Sequence, residues 1–387
     1  MKKLFLLSVW VFSLLFSGNL FCEQVFVQEI GYYLELPAAW ELLDAEDINH
    51  ISFTDPNHAA VFQVWHFPID SFSSVTAMVE QMGSFFSETW EAEDFLYSGN
   101  NAAFGNIHFQ TGETTAVGKA VYLESENGYF WITGFAYESY FSAYEDFLIS
   151  CIDSFSLSPA YLLDPGPVSQ FLRHQSQGNF ETAEFPFQNE SHSVQIHSAD
   201  IRINQEVIER EARILSTYAT GNMTERFLEA WKRYYRMVYR DTYTRLMPFA
   251  RAVRRSIRSS STDSQRIPQV LLSWFQDFTY QRRGGTSDLD SPVNTVLTSG
   301  GDCDSRALAY VTMLQFMNID SIFLVSHRFS HALVGVLTDH QGATFPYQGS
   351  DYVIAELTDN VDLGLIPRDM ADPSAWVPID FTENEGM

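Results

Sequence analysis

The segment that most narrows what this chain can become is Gly300-Gly301-Asp302-Cys303-Asp304-Ser305, which leads into Arg306 to Met317, a run spaced as a helix packed on one face. A cysteine in the first turn of a helix lies among unpaired backbone N–H groups at the positive end of the helix dipole, which favours thiolate. Asp302 is a natural cap for that helix, although Asp302 and Asp304 also place negative charge beside the sulfur and oppose its ionisation. A histidine follows in Ser330-His331-Ala332-Leu333-Val334, which reads as a strand, and an acid in Tyr352-Val353-Ile354-Ala355-Glu356. Thiol, imidazole and carboxylate in this order are the parts of a nucleophile, base and orienter set.

The rest of the chain has to hold those parts together. Its 387 residues suffice for two or three domains, and 45% hydrophobic with 15% aromatic residues argues for globular structure over disorder. Met1 to Cys22 reads as an export signal, with Lys2 and Lys3 before the short apolar run Leu4 to Phe16. Ordinary cleavage near Cys22 is preferred to lipid attachment there, because bulky Phe21 stands where a small residue is expected. No later segment is apolar enough to cross a membrane, so the expected location is periplasmic or extracellular.

Three cysteines, Cys22, Cys151 and Cys303, are too few for a disulfide framework, and Cys151 in an apolar helical stretch reads as core. The net charge of −26 sets nucleic acid aside as a partner. The charge is uneven. Lys119 is the one basic residue between Gln24 and Leu157, whereas arginine is dense from Arg202 to Arg258. Those basic helices are expected to face the chain's own acidic part or solvent, in preference to an acidic partner.

The expected class is α+β and multidomain. Residues 24–157 read as a layered α/β domain, with strands at Gly31–Pro37, Val61–Phe67 and Ala120–Leu123, a central strand at Tyr129–Tyr137, and helices at Phe72–Trp90 and Ser139–Phe155. Residues 158–200, richer in Pro, Gly, Ser, Asn and Gln, read as a linker. His174, His192 and His197 there are spaced too irregularly for a metal site. Residues 201–262 read as helical, with Pro248 expected to kink or end the second helix. A third helix carries Ile267, Leu271, Trp274, Phe275 and Phe278, and residues 263–387 form the last domain.

Two resemblances add to this reading. Gly31 to Trp40 and the helix ending in Ile152-Asp153-Ser154-Phe155 resemble PsbP-like domains, which implies a binding or assembly module for 24–157. From about residue 263, the order Phe278-Thr279-Tyr280, Pro292, Leu297, Gly300-Gly301-Asp302-Cys303, Ala307 and His331-Ala332-Leu333 resembles the transglutaminase-like superfamily, whose members share a papain-like thiol fold. Leu333 departs from that family's usual aromatic. The family's third element, aromatic, three residues, acid, one residue, threonine, fits Tyr352 to Thr358 with Glu356. It also fits Trp376 to Thr382 with Asp380. Glu356 is chosen because its strand follows the histidine strand directly.

The resemblance implies acyl transfer through a thioester on Cys303, with His331 as the proton carrier, Glu356 as its orienter and the Cys303 N–H as an oxyanion donor. Asn294 is the candidate second donor. Peptide or amide hydrolysis is favoured over crosslinking, with a peptide or protein substrate, cell-wall peptide among the candidates, and no metal or organic cofactor needed. The alternative is a catalytically inactive scaffold acting as an extracytoplasmic binding or assembly protein.

Overall fold

The computed structural model describes residues 24–84, 91–112, 114–219, 221–260 and 266–381. Cys22 and the export segment lie outside the described residues, as do residues 85–90 at the end of the first expected helix. The chain is a mixed α+β, multidomain protein.

It begins with β1 (Gln24–Val27) and β2 (Tyr32–Glu35), a hairpin, then β3 (Glu41–Asp47), β4 (His50–Thr54), β5 (Ala60–Phe67), α1 (Val75–Gly83), β6 (Ala92–Tyr97), β7 (Asn100–Thr111), β8 (Thr114–Ser125), β9 (Gly128–Tyr137) and α2 (Glu138–Ser154). Seven of these strands form an antiparallel sheet in the order β3-β4-β5-β9-β8-β7-β6. The nearly all-apolar β9 takes the central place, as a strand buried on both faces must. One face packs on α2 through Leu148, Cys151 and Ile152; Met78 and Met82 of α1 cover part of the other.

Next come α3 (Pro167–Gln175), the hairpin β10 (Phe180–Phe187) and β11 (Glu190–His197), α4 (Asp200–Tyr218), α5 (Glu225–Ser260) and α6 (Ile267–Gln276). The stretch read as a linker, 158–200, therefore holds a helix and a hairpin. Proline at the first helical position starts α3, where its missing N–H costs nothing. In the hairpin, Phe185, Phe187, Val194 and Ile196 turn inward to the same core as α5 and α6. Pro248 also departs from expectation: α5 runs through it to Ser260. Leu246, Phe249, Ala250 and Val253 are buried on either side, and that packing holds the helix across the lost hydrogen bond.

The last part contains β12 (Thr279–Tyr280), α7 (Pro292–Thr298), β13 (Gly300–Gly301), α8 (Cys303–Phe316), β14 (Ser321–Ser326), β15 (His331–Val336), β16 (Thr344–Tyr347), β17 (Ser350–Ala355) and β18 (Val377–Ile379). Its sheet has the order β16-β17-β15-β14-β18, and α8 lies buried against it within a core shared with α5 and α6.

Five arginines of α4 and α5 face the first part of the chain. Arg240 donates to the carbonyls of Ser154, Phe155 and Asp164 at 2.6–2.8 Å, so its guanidinium sits on the C-terminal end of α2 where carbonyls are unpaired. Arg233 bonds Glu211 at 2.8 Å and the Glu35 carbonyl at 2.9 Å, and Arg210 bonds Asp153 at 2.9 Å. Arg213 grips Asp146 with two bonds, and Arg236 reaches the Glu35 carboxylate at 2.7 Å. These five arginines thus answer the acidic half of the same chain, whereas Arg202 pairs with Glu206 and Arg245 with Asp200 and Asp241. No helix among the described residues is long and apolar enough to cross a membrane.

Candidate active site

Gly301 has φ +154°, and a Cβ there would press on Ser305 and Thr295 at 3.1 Å, so the turn before α8 calls for glycine. β13 pairs with β12 in parallel, fixing Thr279 against Gly300 and Tyr280 against Gly301. Asp302 then caps α8, its Oδ1 accepting from the Ser305 N–H at 2.9 Å and from the Ser305 hydroxyl at 2.6 Å. Cys303 opens the helix and is 5% exposed.

Two contacts define the sulfur's position. The backbone N–H of Ala332, the residue after His331, lies close enough to favour its thiolate. The thiol itself donates to Asp304 Oδ1 at 3.3 Å, and Tyr235 of α5 donates to the other Asp304 oxygen at 2.7 Å. The sulfur therefore lies at the start of β15, the strand that His331 opens.

His331 Nε2 and Glu356 Oε2 are 2.7 Å apart. The strand order explains the pairing: β17, which ends just before Glu356, lies beside β15, whereas Asp380 follows β18 on the far side of β14. Asp380 bears instead on Tyr239 and Tyr352. The second Glu356 oxygen accepts from the Thr358 N–H at 2.7 Å and its hydroxyl at 2.6 Å. Burial pushes the Glu356 carboxyl up, but the bonds from His331 and Thr358 outweigh it and hold the group below its ordinary value. With Nε2 committed to Glu356, Nδ1 is the ring nitrogen left to handle another proton.

The electrostatics of the sulfur differ from the sequence expectation. Burial first, then Asp304 and Asp302, push the Cys303 thiol well above its ordinary range; the Ala332 N–H works the other way. Desolvation outweighs the helix dipole here. Asp302 itself is pushed up to about 6 by burial and by Asp304. Asn294, the expected second oxyanion donor, gives its amide to Asp290 Oδ2 at 2.6 Å. The Gln281 amide lies against Gly300, where a Cβ would meet it.

Arg306, 1% exposed, ties these pieces together with no carboxylate partner among the described residues. Its Nε donates to the Gly301 carbonyl at 2.9 Å, Nη2 to Phe278 at 2.8 Å, and Nη1 to Leu357 at 3.2 Å and Phe275 at 3.4 Å. One guanidinium thus links the turn before Cys303, the segment after Glu356 and the end of α6. Sequence reading missed it, because an arginine one turn into a helix looks like a solvated residue; nothing local marks the carbonyls it meets.

Beside this turn lies a groove of about 590 Å³ between α6, the tip of the β10–β11 hairpin and Ser299. Among the described residues no group of three or more His, Cys, Asp and Glu is arranged to hold a metal ion.

Compared with known proteins, the chain matches no family model and no curated protein. Similar solved structures include a cyanobacterial PsbP (CyanoP) from Synechocystis sp. PCC 6803, 14% identical, with a TM-score of 0.29 over 36% of this chain and 95% of that one. LpqN, involved in cell envelope biogenesis of Mycobacterium tuberculosis, is 15% identical, with a TM-score of 0.24 over 35% and 90%. A protein from Bacteroides thetaiotaomicron is 10% identical, with a TM-score of 0.25 over 83% and 84%. The PsbP likeness extends over about a third of the chain, and at TM-scores this low none of these likenesses bears on activity.

Proposed function

We propose that this protein is a thiol enzyme of transglutaminase-like type that hydrolyses a peptide or amide bond through a thioester on Cys303. The observation that carries the reading is the His331–Glu356 bond at 2.7 Å, with the Cys303 sulfur near the N–H of the very next residue, Ala332. In the proposed reaction Cys303, at rest a thiol, attacks the carbonyl carbon while His331 takes its proton through Nδ1. The carbonyl π electrons move to oxygen, which the Cys303 N–H and, as the proposed second donor, the Gln281 amide would receive. The C–N bond breaks, the amine leaves with the proton from His331, and a thioester remains. Water then attacks, giving a proton to His331; the C–S bond breaks, the acid leaves and the sulfur recovers its proton. Glu356 keeps the imidazole oriented and stabilises its cation throughout.

One observation favours a second reading, a catalytically inactive scaffold: the thiol's hydrogen bond to Asp304 and its raised pKa hold it protonated. Labelling with a peptide-derived thiol electrophile, followed by mass spectrometry of the Cys303 peptide, separates the two. Modification that collapses in His331→Ala, in a protein with an unchanged circular dichroism spectrum, supports the enzyme. Modification at the same rate with and without the imidazole leaves the scaffold.

A further inference from the structure

The groove beside the nucleophile turn has the dimensions and chemistry of a recognition site. Its volume of about 590 Å³ lies within the range of ligand pockets. Its floor is made by Phe187, Trp274 and Phe278, which are 1%, 8% and 5% exposed. These rings pack on one another edge to face: Phe187 meets Trp274 at 5.0 Å between centroids and Trp274 meets Phe278 at 5.2 Å. They make that part of the lining apolar, which suits an aliphatic or aromatic side chain.

The rim carries opposite charges at two ends. Arg266 precedes α6 and Asp277 follows it, and neither forms an ion pair with another described residue. The ten residues of α6 lie between them, which sets them about 16 Å apart, the reach of roughly five residues of extended chain. The Asp277 end is the one nearest the nucleophile turn: Thr279, two residues on, donates its N–H to the Ser299 carbonyl at 2.8 Å, and Ser299 leads directly into Gly300. Ser299 Oγ is buried there without a hydrogen-bond partner among the described residues.

We infer that this groove holds an extended peptide segment next to the bond attacked by Cys303, with an apolar side chain on the aromatic floor, an acidic group toward Arg266 and a basic group toward Asp277. The inference rests on the reading of Cys303 as an acyl-transfer nucleophile for its place in a reaction, though the groove's own binding chemistry does not need turnover. It commits to a sequence preference: the basic residue lies closest to the cleaved bond, and the acid about four residues away.

The test uses the full chain carrying Cys303→Ala and dye-labelled, end-blocked heptapeptides with an acid, a central leucine and a lysine, made in both orders and read by fluorescence anisotropy. One order is expected to bind. Asp277→Lys is expected to weaken it about fivefold, and a peptide with glutamate in place of the lysine to recover the loss. Equal affinity before and after the charge reversal, or no saturation by either peptide at millimolar concentration, overturns the inference. Charge-swap recovery together with His331-independent labelling of Cys303 upholds the groove and removes the enzyme. His331-dependent labelling without any charge-swap effect does the opposite.

Discussion

Cys303 donates its thiol hydrogen to the carboxylate of its own neighbour, Asp304, at 3.3 Å, and Tyr235 holds that carboxylate in place from the other side. The pair restrains the nucleophile: a buried sulfur beside two acids ionises only well above neutral pH. Asp304→Asn removes one negative charge and the charged acceptor, so the thiol should ionise more readily. Iodoacetamide labelling of Cys303 at about pH 8 is expected to rise several-fold in the variant, because the thiolate is the reacting form. Cys151, fully buried and pushed up to about 12 chiefly by burial, should label in neither protein and serves as the internal control. An unchanged or slower rate in the variant would show that Asp304 does not govern the thiol.

Asp302 makes stability depend on pH in an unusual direction. Its carboxyl is raised to about 6 from an ordinary value of 3.8, so the folded chain holds this proton more tightly than the unfolded one. The contribution is favourable below about pH 4, is lost as pH rises toward 6, and stays flat above that, a change of roughly 3 kcal/mol. Asp302→Asn keeps a side chain able to cap α8 and removes the titration. Urea unfolding between about pH 4 and 7 should show a shallower fall in stability for the variant; parallel curves would refute the assignment.

Arg306→Met should be among the most damaging single changes in the last part of the chain. It leaves the carbonyls of Gly301, Phe278, Leu357 and Phe275 without their donor in a buried site. A loss of about 3 kcal/mol is expected by urea denaturation, with Arg306→Lys recovering only part, because an ammonium cannot span four carbonyls as a planar fork does. A loss below about 1 kcal/mol for Arg306→Met would show that water replaces the guanidinium and that the linkage is dispensable.

At the other end of the molecule, Arg240→Ala tests how the two halves are joined. The substitution removes the donor for the Ser154, Phe155 and Asp164 carbonyls. Calorimetry should show the seven-stranded half melting before the α5 core, where the parent protein melts in one step. A single transition shifted as a whole would mean that the remaining contacts of Arg210 and Arg233 suffice.

Much of this arrangement can be read from local sequence, and the unread parts share a cause. The helix at Cys303 and the strand at His331 follow from patterns a few residues long, and the His331–Glu356 contact from the order of neighbouring strands, because the local pattern alone fits Asp380 equally. Residues 158–200 have the composition of a linker, yet the alternation of Phe185 and Phe187 around Pro186 was the available sign of a hairpin. Pro248 inside α5 could not be foreseen, since the packing that tolerates it comes from residues far along the chain. The raised thiol of Cys303 depends on burial, which no six-residue motif encodes. Arg306 depends on carbonyls contributed by segments up to 51 positions away.

The seating of Arg240 on the end of α2, with Arg233 on Glu35 and Arg210 on Asp153, bears on how such a chain can be inherited. Each arginine is accommodated only while the acidic half is present, and each of those carbonyls and carboxylates only while the basic helices are. Recombination that moved the Cys303-bearing half into a new host protein would open the buried contacts of Arg210, Arg233 and Arg240 to water and forfeit them, so the two halves are expected to travel through evolution as one cassette.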